Sequence, residues 1–472
     1  MQRKVKIICT IGPASRSEER IRELLDAGMD VARLNFSHGS REEHLEMIER
    51  LRAVAEQHGT PLAILQDLQG PKIRTGPMPE GGVQLIDGSD FTIAMDFDGI
   101  GNAQRCGTTY PQLAEDVLAG QHMLLDDGYL TLEILDVTAT EIRTRVVKGG
   151  VLKSNKGIIV PKASISAPAL SRKDLEDLDF GLRAGVDAVA LSFVRSERDV
   201  IELQSAMKYH GRNVPVIAKI ERWEGFMDIE DIIREADGIM VARGDLGLEM
   251  PAEQVPVLQK HIIRRCNAHG KPVITATQML ESMITQPRPT RAEASDVANA
   301  VLDGTDCVML SGETSVGDWP VASVTYMDRI IRAIEASEEK HEREYAIPDD
   351  ERHNVTDAIG KAACGLAQQI GAAAIVTLTR SGDTARLIAK YRPSTPILAL
   401  SDTAATLRGL AFTWGVKGEF LPPLPDQEYS IEAVRKLLLE RGLVDAGALV
   451  VFSIGSPLHK RGPTNMLEVR KV

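Results

Sequence analysis

Eight short apolar runs, most of them followed by a helical pattern, constrain this chain more than any other feature. They are VKIIC (5–9), DVARLN (30–35), LAILQD (62–67), DAVALSF (187–193), PVIAKIE (215–221), DGIMVAR (237–243), KPVITAT (271–277) and DCVMLSG (306–312). Each reads as a strand buried on both faces, as in a parallel sheet covered by helices. The intervening helices carry start signals at Ser15 and Glu18, Ser40 and Glu43, Ser171 and Asp174, Ser196 and Asp199, and Thr290 and Glu293. These are capping boxes or close variants. Gly28, Gly59, Gly185, Gly211, Gly270 and Gly304 stand where those helices should stop. Eight strands alternating with helices predict a (β/α)8 TIM barrel.

One gap breaks the rhythm. Between Asp67 and Asp187 lie 119 positions, several times the usual spacing. The stretch "LLDDGYLTLEILDVTATEIRTRVV" inside it alternates apolar and polar residues, which predicts antiparallel β structure. The expected layout is a barrel from 1–71 and 169–345, interrupted by an all-β domain over 72–168. The charged segment 330–350 ("EASEEKHERE") reads as a helix leading out of the barrel. Residues 346–472 form a third unit, with strands expected at 373–379, 396–401, 416–420 and 448–454. That is a small open α/β sheet.

The length of 472 residues agrees with roughly two to four domains. The net charge of −12 argues against nucleic acid or an acidic membrane as the main partner. The five cysteines are scattered, odd in number and form no CxxC, which suits a reducing compartment and argues against disulfides or zinc. The N-terminal apolar run is too short for a secretory signal, and no run is long enough to span a membrane. The expected location is the cytoplasm.

Polar residues gather where the strands end, the face on which such barrels carry their chemistry. Arg33 and Asn35 follow the second strand, Asp67 the third, Ser192 and Arg195 the fourth. Lys219 and Glu221 end the fifth, Asp245 follows the sixth, Thr277 ends the seventh and Glu313 follows the eighth. Lys219 and Glu221 are two apart, so they share one strand face. Glu221 and Asp245 are hard oxygen ligands of the kind magnesium prefers, and no histidine cluster competes for zinc. The Gly244–Gly247 turn can present backbone N–H groups to a carboxylate or phosphate. There is no Walker sequence, and "GIGNAQ" lacks a dinucleotide fingerprint. A nucleotide must be held by another device; a basic lid is one, with Arg74 and Lys156 as candidates.

Taken together, "KIICTIGPAS", "ARLNFSHGS", "DLQGPKIRTG", "IAKIERWEG", "MVARGDLGLE", "ITATQMLESM" and "TRSGDTA" strongly resemble the pyruvate kinases, nearly end to end and in order. The resemblance implies phosphoryl transfer from phosphoenolpyruvate to ADP, giving pyruvate and ATP at the last step of glycolysis. It also implies a homotetramer whose inserted β-barrel closes as a lid. Under it Glu221 and Asp245 hold Mg2+ (or Mn2+), and Gly244, Asp245 and Thr277 grip the substrate carboxylate. Lys219 and Arg33 face the phosphoryl group, and Lys219 steadies the enolate; Thr277 with water is the catalytic candidate for the route of its proton, though the sequence leaves the donor open. Asn35, Phe36, Ser37, His38, Arg74 and Lys156 hold the nucleotide, and a second Mg2+ arrives with ADP.

Many members need K+, held at positions matching Asn35, Ser37, Asp67 and the Leu68 carbonyl, and those members usually carry Glu where this chain has Lys72. Lys72, Leu68 and Gln69 resemble the cation-independent version, whereas Thr75 resembles the K+-requiring one. The expectation is activity without K+, with the Lys72 ammonium in its place. The alternative is a surface lysine beside the hinge, with K+ still used. In the third domain, Thr379, Arg380, Ser381, Gly382, Asp383 and Thr384 resemble the family's effector loop. Asp383 and a distal loop without Trp, "LHKRGPTN" (458–465), favour a sugar monophosphate or AMP over fructose bisphosphate, with Lys460 and Arg461 as helpers. Two rivals are a mutase or aldolase acting on phosphoenolpyruvate or pyruvate, and a dead sensor on the same scaffold. The first has no use for a nucleotide lid; the second should have lost Lys219, Glu221 or Asp245, and none is lost.

Overall fold

The computed structural model describes residues 3–337, 354–421, 431–454 and 464–472. All eight expected strands form, at Lys6–Thr10, Val31–Asn35, Ala63–Asp67, Ala188–Leu191, Val216–Ile220, Gly238–Ala242, Val273–Ala276 and Cys307–Leu310. They pair in parallel, each with its chain neighbour, and the last returns to the first to close a barrel. Ile8, Leu65, Ala190, Ile217, Met240 and Ile274 fill its interior, while a larger apolar layer packs strands against the surrounding helices.

The start signals at Ser40, Ser171 and Thr290 form complete capping boxes. Two expected ones do not. The first helix begins at Glu18 under Ser17, and Ser15 instead bonds Gly12. Ser196 caps its helix without a side-chain bond, and the Asp199 carboxylate accepts the Arg195 backbone N–H at 2.9 Å in place of the Ser196 one. Gly28, Gly59, Gly185 and Gly304 take the left-handed cap conformation. Gly211 and Gly270 fall one residue past caps at His210 and His269.

The insertion has its own core around Phe91, Ile93, Leu132, Ile134 and Val146. A six-stranded sheet runs in the order Ile158–Ile159, His122–Leu125, Leu130–Val137, Glu141–Lys148, Asp90–Ala94, Arg105–Gly107. A short ribbon pairs Val83–Leu85 with Gly150–Leu152. The ladder itself is open. Two isolated bridges, Arg74 to Gly157 and Thr75 to Thr108, join its edges, so the expected β-barrel closes only through the entering chain.

The charged segment after the barrel is helical to Ala336, and residues 338–353, including the expected 345/346 boundary, lie outside the described residues. The C-terminal unit has five strands, not four. The expected four at Ala374–Leu378, Ile397–Ser401, Val416–Phe420 and Leu449–Ile454 are joined by an antiparallel edge strand, Met466–Lys471. This unit docks under the N-terminal ends of the barrel strands. Phe412 packs against the barrel interior, Arg408 pairs with Asp187 at 2.6 Å, and Arg392 with Asp306 at 3.0 Å. The opposite, C-terminal face stays clear for the insertion and the chemistry.

Candidate active site

Strand geometry places the charged residues. Arg33 and Asp67 sit on neighbouring strands, and the Arg33 Nε donates to Asp67 Oδ2 at 2.7 Å. The Arg33 Nη1 donates to Thr10 Oγ1 at 2.9 Å. The Lys219 ammonium reaches Asp67 Oδ1 at 3.2 Å, Ser192 Oγ at 2.7 Å and Glu221 Oε1 at 3.0 Å. Glu221 lies one residue beyond its strand, and its Oε2 accepts the Phe193 N–H at 2.6 Å. Asp67, Lys219 and Glu221 are at most 9% exposed, so two carboxylates and one ammonium are desolvated together beside Arg33.

Their proton affinities follow from that arrangement. Burial opposes charge on all three. Asp67 is nonetheless held below the usual carboxylate range, because Lys219 and Arg33 both stand against it. Lys219 is held above the usual lysine value despite burial, by Asp67 and Glu221. Glu221 goes the other way: burial and the nearby Asp245 raise it, with Lys219 opposing.

Asp245 lies in the first turn of the helix Arg243–Glu249, in a cleft shared with Glu221, Glu249, Phe193 and Lys72. No hydrogen bond or ion pair engages its carboxylate among the described residues. An unpartnered carboxylate beside a buried one, with no thiolate or imidazole near, is a donor set suited to a hard divalent cation. The Gly244 N–H is already used: it donates to Thr277 Oγ1 at 2.9 Å. Thr277 and Gln278 both have left-handed backbones, φ 67° and 54°. For a β-branched residue this is costly, about 1–3 kcal/mol, and such strain collects at functional sites.

Other expected site residues have structural work. Glu313 is fully buried and accepts the Leu280 and Ser311 N–H groups, so it braces two turns and does not face the cleft. Asn35 Oδ1 accepts the Ser37 N–H at 3.1 Å, and the Leu68 carbonyl accepts from Ser192 at 2.7 Å. The Phe36 ring stacks on His44 at 4.0 Å, and the His38 carbonyl bonds the same imidazole. Lys156 pairs with Asp126 at 2.7 Å, and Arg74 donates to the Asn155 carbonyl at 3.0 Å, which turns both cations toward the lid itself. Thr75 is buried and accepts the Lys156 N–H. The Lys72 ammonium has no partner among the described residues, and it lines the same cleft as Glu221 and Asp245.

Of the residues that hold the lid's return segment, the sequence singled out Arg195 alone, as a strand-end cation and not for this work. Arg195 donates to the Ile165 carbonyl at 2.6 Å and Arg222 to the Ala163 carbonyl at 3.0 Å, while Glu249 accepts the Lys162 N–H at 3.2 Å. At the entering hinge Gly70 has φ 69°, and a side chain there would strike Ser192 and Phe193. Only glycine fits.

In the C-terminal unit, Thr379 Oγ1 accepts the Gly382 N–H at 2.9 Å just before the helix Asp383–Lys390. Ser381 donates to Asp383 at 2.6 Å, Asp383 pairs with Arg386 at 3.0 Å, and Thr384 meets Thr464 at 2.5 Å. Arg380 is exposed. Lys460 and Arg461 lie outside the described residues.

Residues 2–324 match the family profile described as the pyruvate kinase barrel domain, and 357–470 that of the pyruvate kinase alpha/beta domain. The chain belongs to the pyruvate kinase family. It is 46% identical over 475 residues to a pyruvate kinase of Geobacillus stearothermophilus, covering 100% of this chain and 81% of that one. It is 44% identical to that of Mycobacterium tuberculosis (strain ATCC 25618 / H37Rv), covering 99% of that protein. A crystal structure of a pyruvate kinase from Cryptosporidium parvum superposes with TM-score 0.90 at 37% identity, over 99% of this chain and 96% of that one. As a pyruvate kinase the chain is a phosphotransferase, whose reaction carries the phosphoryl group of phosphoenolpyruvate to ADP. Among the described residues no helix is long and apolar enough to cross a membrane.

Proposed function

We propose that the buried Asp67–Lys219–Glu221 group, with Arg33, is the phosphoryl-transfer centre of this pyruvate kinase. The observation that carries this reading is the contact set of Lys219, an ammonium held between two carboxylates at 3.0 and 3.2 Å on the open face of the barrel. Phosphoryl transfer asks a protein mainly for fixed positive charge and alignment. Arg33 and Lys219 supply that charge in orientations their carboxylate partners fix in advance. Lys219 also stabilises the enolate left when the phosphoryl group departs. Thr277, Gly244 and Asp245 hold the substrate carboxylate, the first two already joined by a hydrogen bond. Glu221 and Asp245 would hold Mg2+ or Mn2+, which when bound adds Lewis-acid charge to the phosphoryl and carboxylate oxygens.

Asn35, Phe36, Ser37, His38, Arg74 and Lys156 bind the nucleotide, with the insertion closing as a lid. This requires Arg74 and Lys156 to leave Asn155 and Asp126 for phosphate oxygens, and a second Mg2+ to arrive with ADP. Lys72 stands in for K+ at the site of Asn35, Ser37, Asp67 and Leu68; this requires its unpartnered ammonium to swing there from the Glu221–Asp245 cleft that it lines. The loop 379–384 takes a phosphorylated activator, a sugar monophosphate or AMP, through Thr379, Ser381, Gly382 and Thr384 beside Arg380. A homotetramer follows from the family resemblance, and light scattering tests it. The cytoplasm is the expected site of action, in keeping with five free thiols, four of them buried.

The test is pyruvate formation from phosphoenolpyruvate and ADP with Mg2+, in buffer free of K+ and NH4+, and then with K+ added. Full turnover without K+ supports both the centre and Lys72. Turnover only after K+ keeps the centre and removes the Lys72 reading. Silence under both conditions, with a sugar monophosphate or AMP also present, removes the centre.

A further inference from the structure

Thr277 is held in a conformation it would not choose, and one side chain grips its carbonyl and the one before it. Arg243, about 10% exposed, donates from Nη2 to the Thr277 carbonyl at 2.7 Å and from Nε to the Ala276 carbonyl at 3.3 Å. Its Nη1 is anchored on Asp296 at 2.8 Å, in the neighbouring helix Arg291–Asp303, and Nη2 also touches Met279 Sδ at 2.9 Å. The next residue, Gly244, donates its N–H to the Thr277 hydroxyl at 2.9 Å. Two consecutive non-glycine residues, Thr277 and Gln278, are left-handed at this point. A planar guanidinium spreads its donors over three nitrogens in a fixed fork, so it can grip two successive carbonyls and a carboxylate that stand apart; a lysine's three donors radiate from one nitrogen.

We propose that Arg243 is a positioning residue for the reaction: it holds the strained 276–277 backbone and so fixes where the Thr277 hydroxyl stands, between the Gly244 N–H at 2.9 Å and the Ala276 carbonyl at 2.6 Å, at the substrate-carboxylate site. The inference rests on the reading of Thr277 as a substrate contact. Arg243 itself touches no reacting atom and acts through the backbone carbonyls.

The test is steady-state kinetics of Arg243→Ala, Arg243→Lys, Thr277→Gly and the Arg243→Ala/Thr277→Gly pair, with unfolding curves as the control for folding. Glycine adopts a positive φ without strain, so the Thr277→Gly background has no need of the clamp. Arg243→Ala is expected to lower kcat/KM for phosphoenolpyruvate about 100-fold, the scale of a misplaced catalytic contact. Millimolar guanidinium should restore it about tenfold by refilling the vacated fork. Arg243→Lys keeps the charge and is expected to lose about tenfold, because it cannot span both carbonyls; if Arg243→Ala does not fold, this variant carries the test. In the Thr277→Gly background Arg243→Ala should cost no more than about threefold further. A loss below about threefold in the folded Arg243 variants, or one that guanidinium does not restore and that multiplies in full with Thr277→Gly, overturns the proposal. Normal kinetics of Thr277→Gly alone would instead overturn the reading of Thr277 on which it rests.

Discussion

The barrel rim and the loop 379–384 are both read as holding a phosphoryl group, and they are built from opposite materials. The rim sets Asp67, Lys219 and Glu221 almost out of contact with water, the two carboxylates balanced by Lys219 and the adjoining Arg33. The loop sets Arg380, Ser381 and Asp383 in solvent, and its polar atoms are satisfied by its own neighbours. The rim therefore cannot lose one member without stranding a buried charge, whereas the loop can change a member at little cost. An arrangement of the first kind suits a catalytic centre whose geometry must not vary. One of the second kind suits a ligand that comes and goes.

The comparison breaks first at Lys219. Lys219→Met should lower kcat about 1000-fold or more, the upper range for removing a preorganised charge. It should also destabilise the protein by about 3–5 kcal/mol, since Asp67 and Glu221 lose their shared counter-ion. Stopped-time pyruvate assays and denaturant unfolding measure the two effects. A variant that keeps a tenth of its turnover would show that the buried group is scaffolding.

Asp67→Asn is the next largest. It keeps the shape but takes the counter-charge from Arg33 and Lys219, and about 100-fold in kcat is expected. The pH dependence sharpens the point. The folded-state affinity of Asp67 for a proton is depressed, so its contribution to stability is present above the usual carboxylate range. It is lost as pH falls through the still lower folded value. Wild type and variant should thus differ most at neutral pH and converge in acid; a constant difference down to the acid transition would remove Asp67 from the linkage.

Lys72→Glu acts between the two regimes, because Lys72 is half-buried and unpartnered. It is expected to leave the protein folded and to make turnover K+-dependent, with at least about a tenfold stimulation by K+, about the effect of replacing one charge in a partly screened site. Stimulation equal to that of the wild type would mean that the ammonium does not stand in for the ion.

How far the sequence could be read follows the same division. The eight strands were legible because a strand buried on both faces needs an unbroken apolar run. The ring of polar residues at their ends was legible because the topology assigns that end. Arg243, Arg222 and Glu249 were not, since their work is done on backbone carbonyls and N–H groups that leave no trace in composition. Glu313 misled for the same reason: a carboxylate that accepts from Leu280 and Ser311 has the same one-letter code as one that faces a ligand. The fifth C-terminal strand, MLEVRK (466–471), was missed because an edge strand with one solvated side shows only weak alternation.

Asp383→Asn gives the smallest effect and the finest test. Asp383 begins the helix whose N–H groups should face an effector phosphate, and a carboxylate there is favoured by the helix but repels the ligand. In the structure it is paired with Arg386 at 3.0 Å, so the repulsion is already partly offset and the arginine is occupied. Removing the charge frees Arg386 for the phosphate and removes the repulsion together. The expected result is a sugar monophosphate or AMP activation constant lowered about three- to tenfold, with the pair itself worth no more than about 1 kcal/mol because it is exposed. Added salt should shrink the difference, since both terms are screened at the surface. If the constant rises instead, Asp383 orders the loop through Ser381 more than it repels the ligand, and the loop would then resemble the rim in depending on its internal contacts.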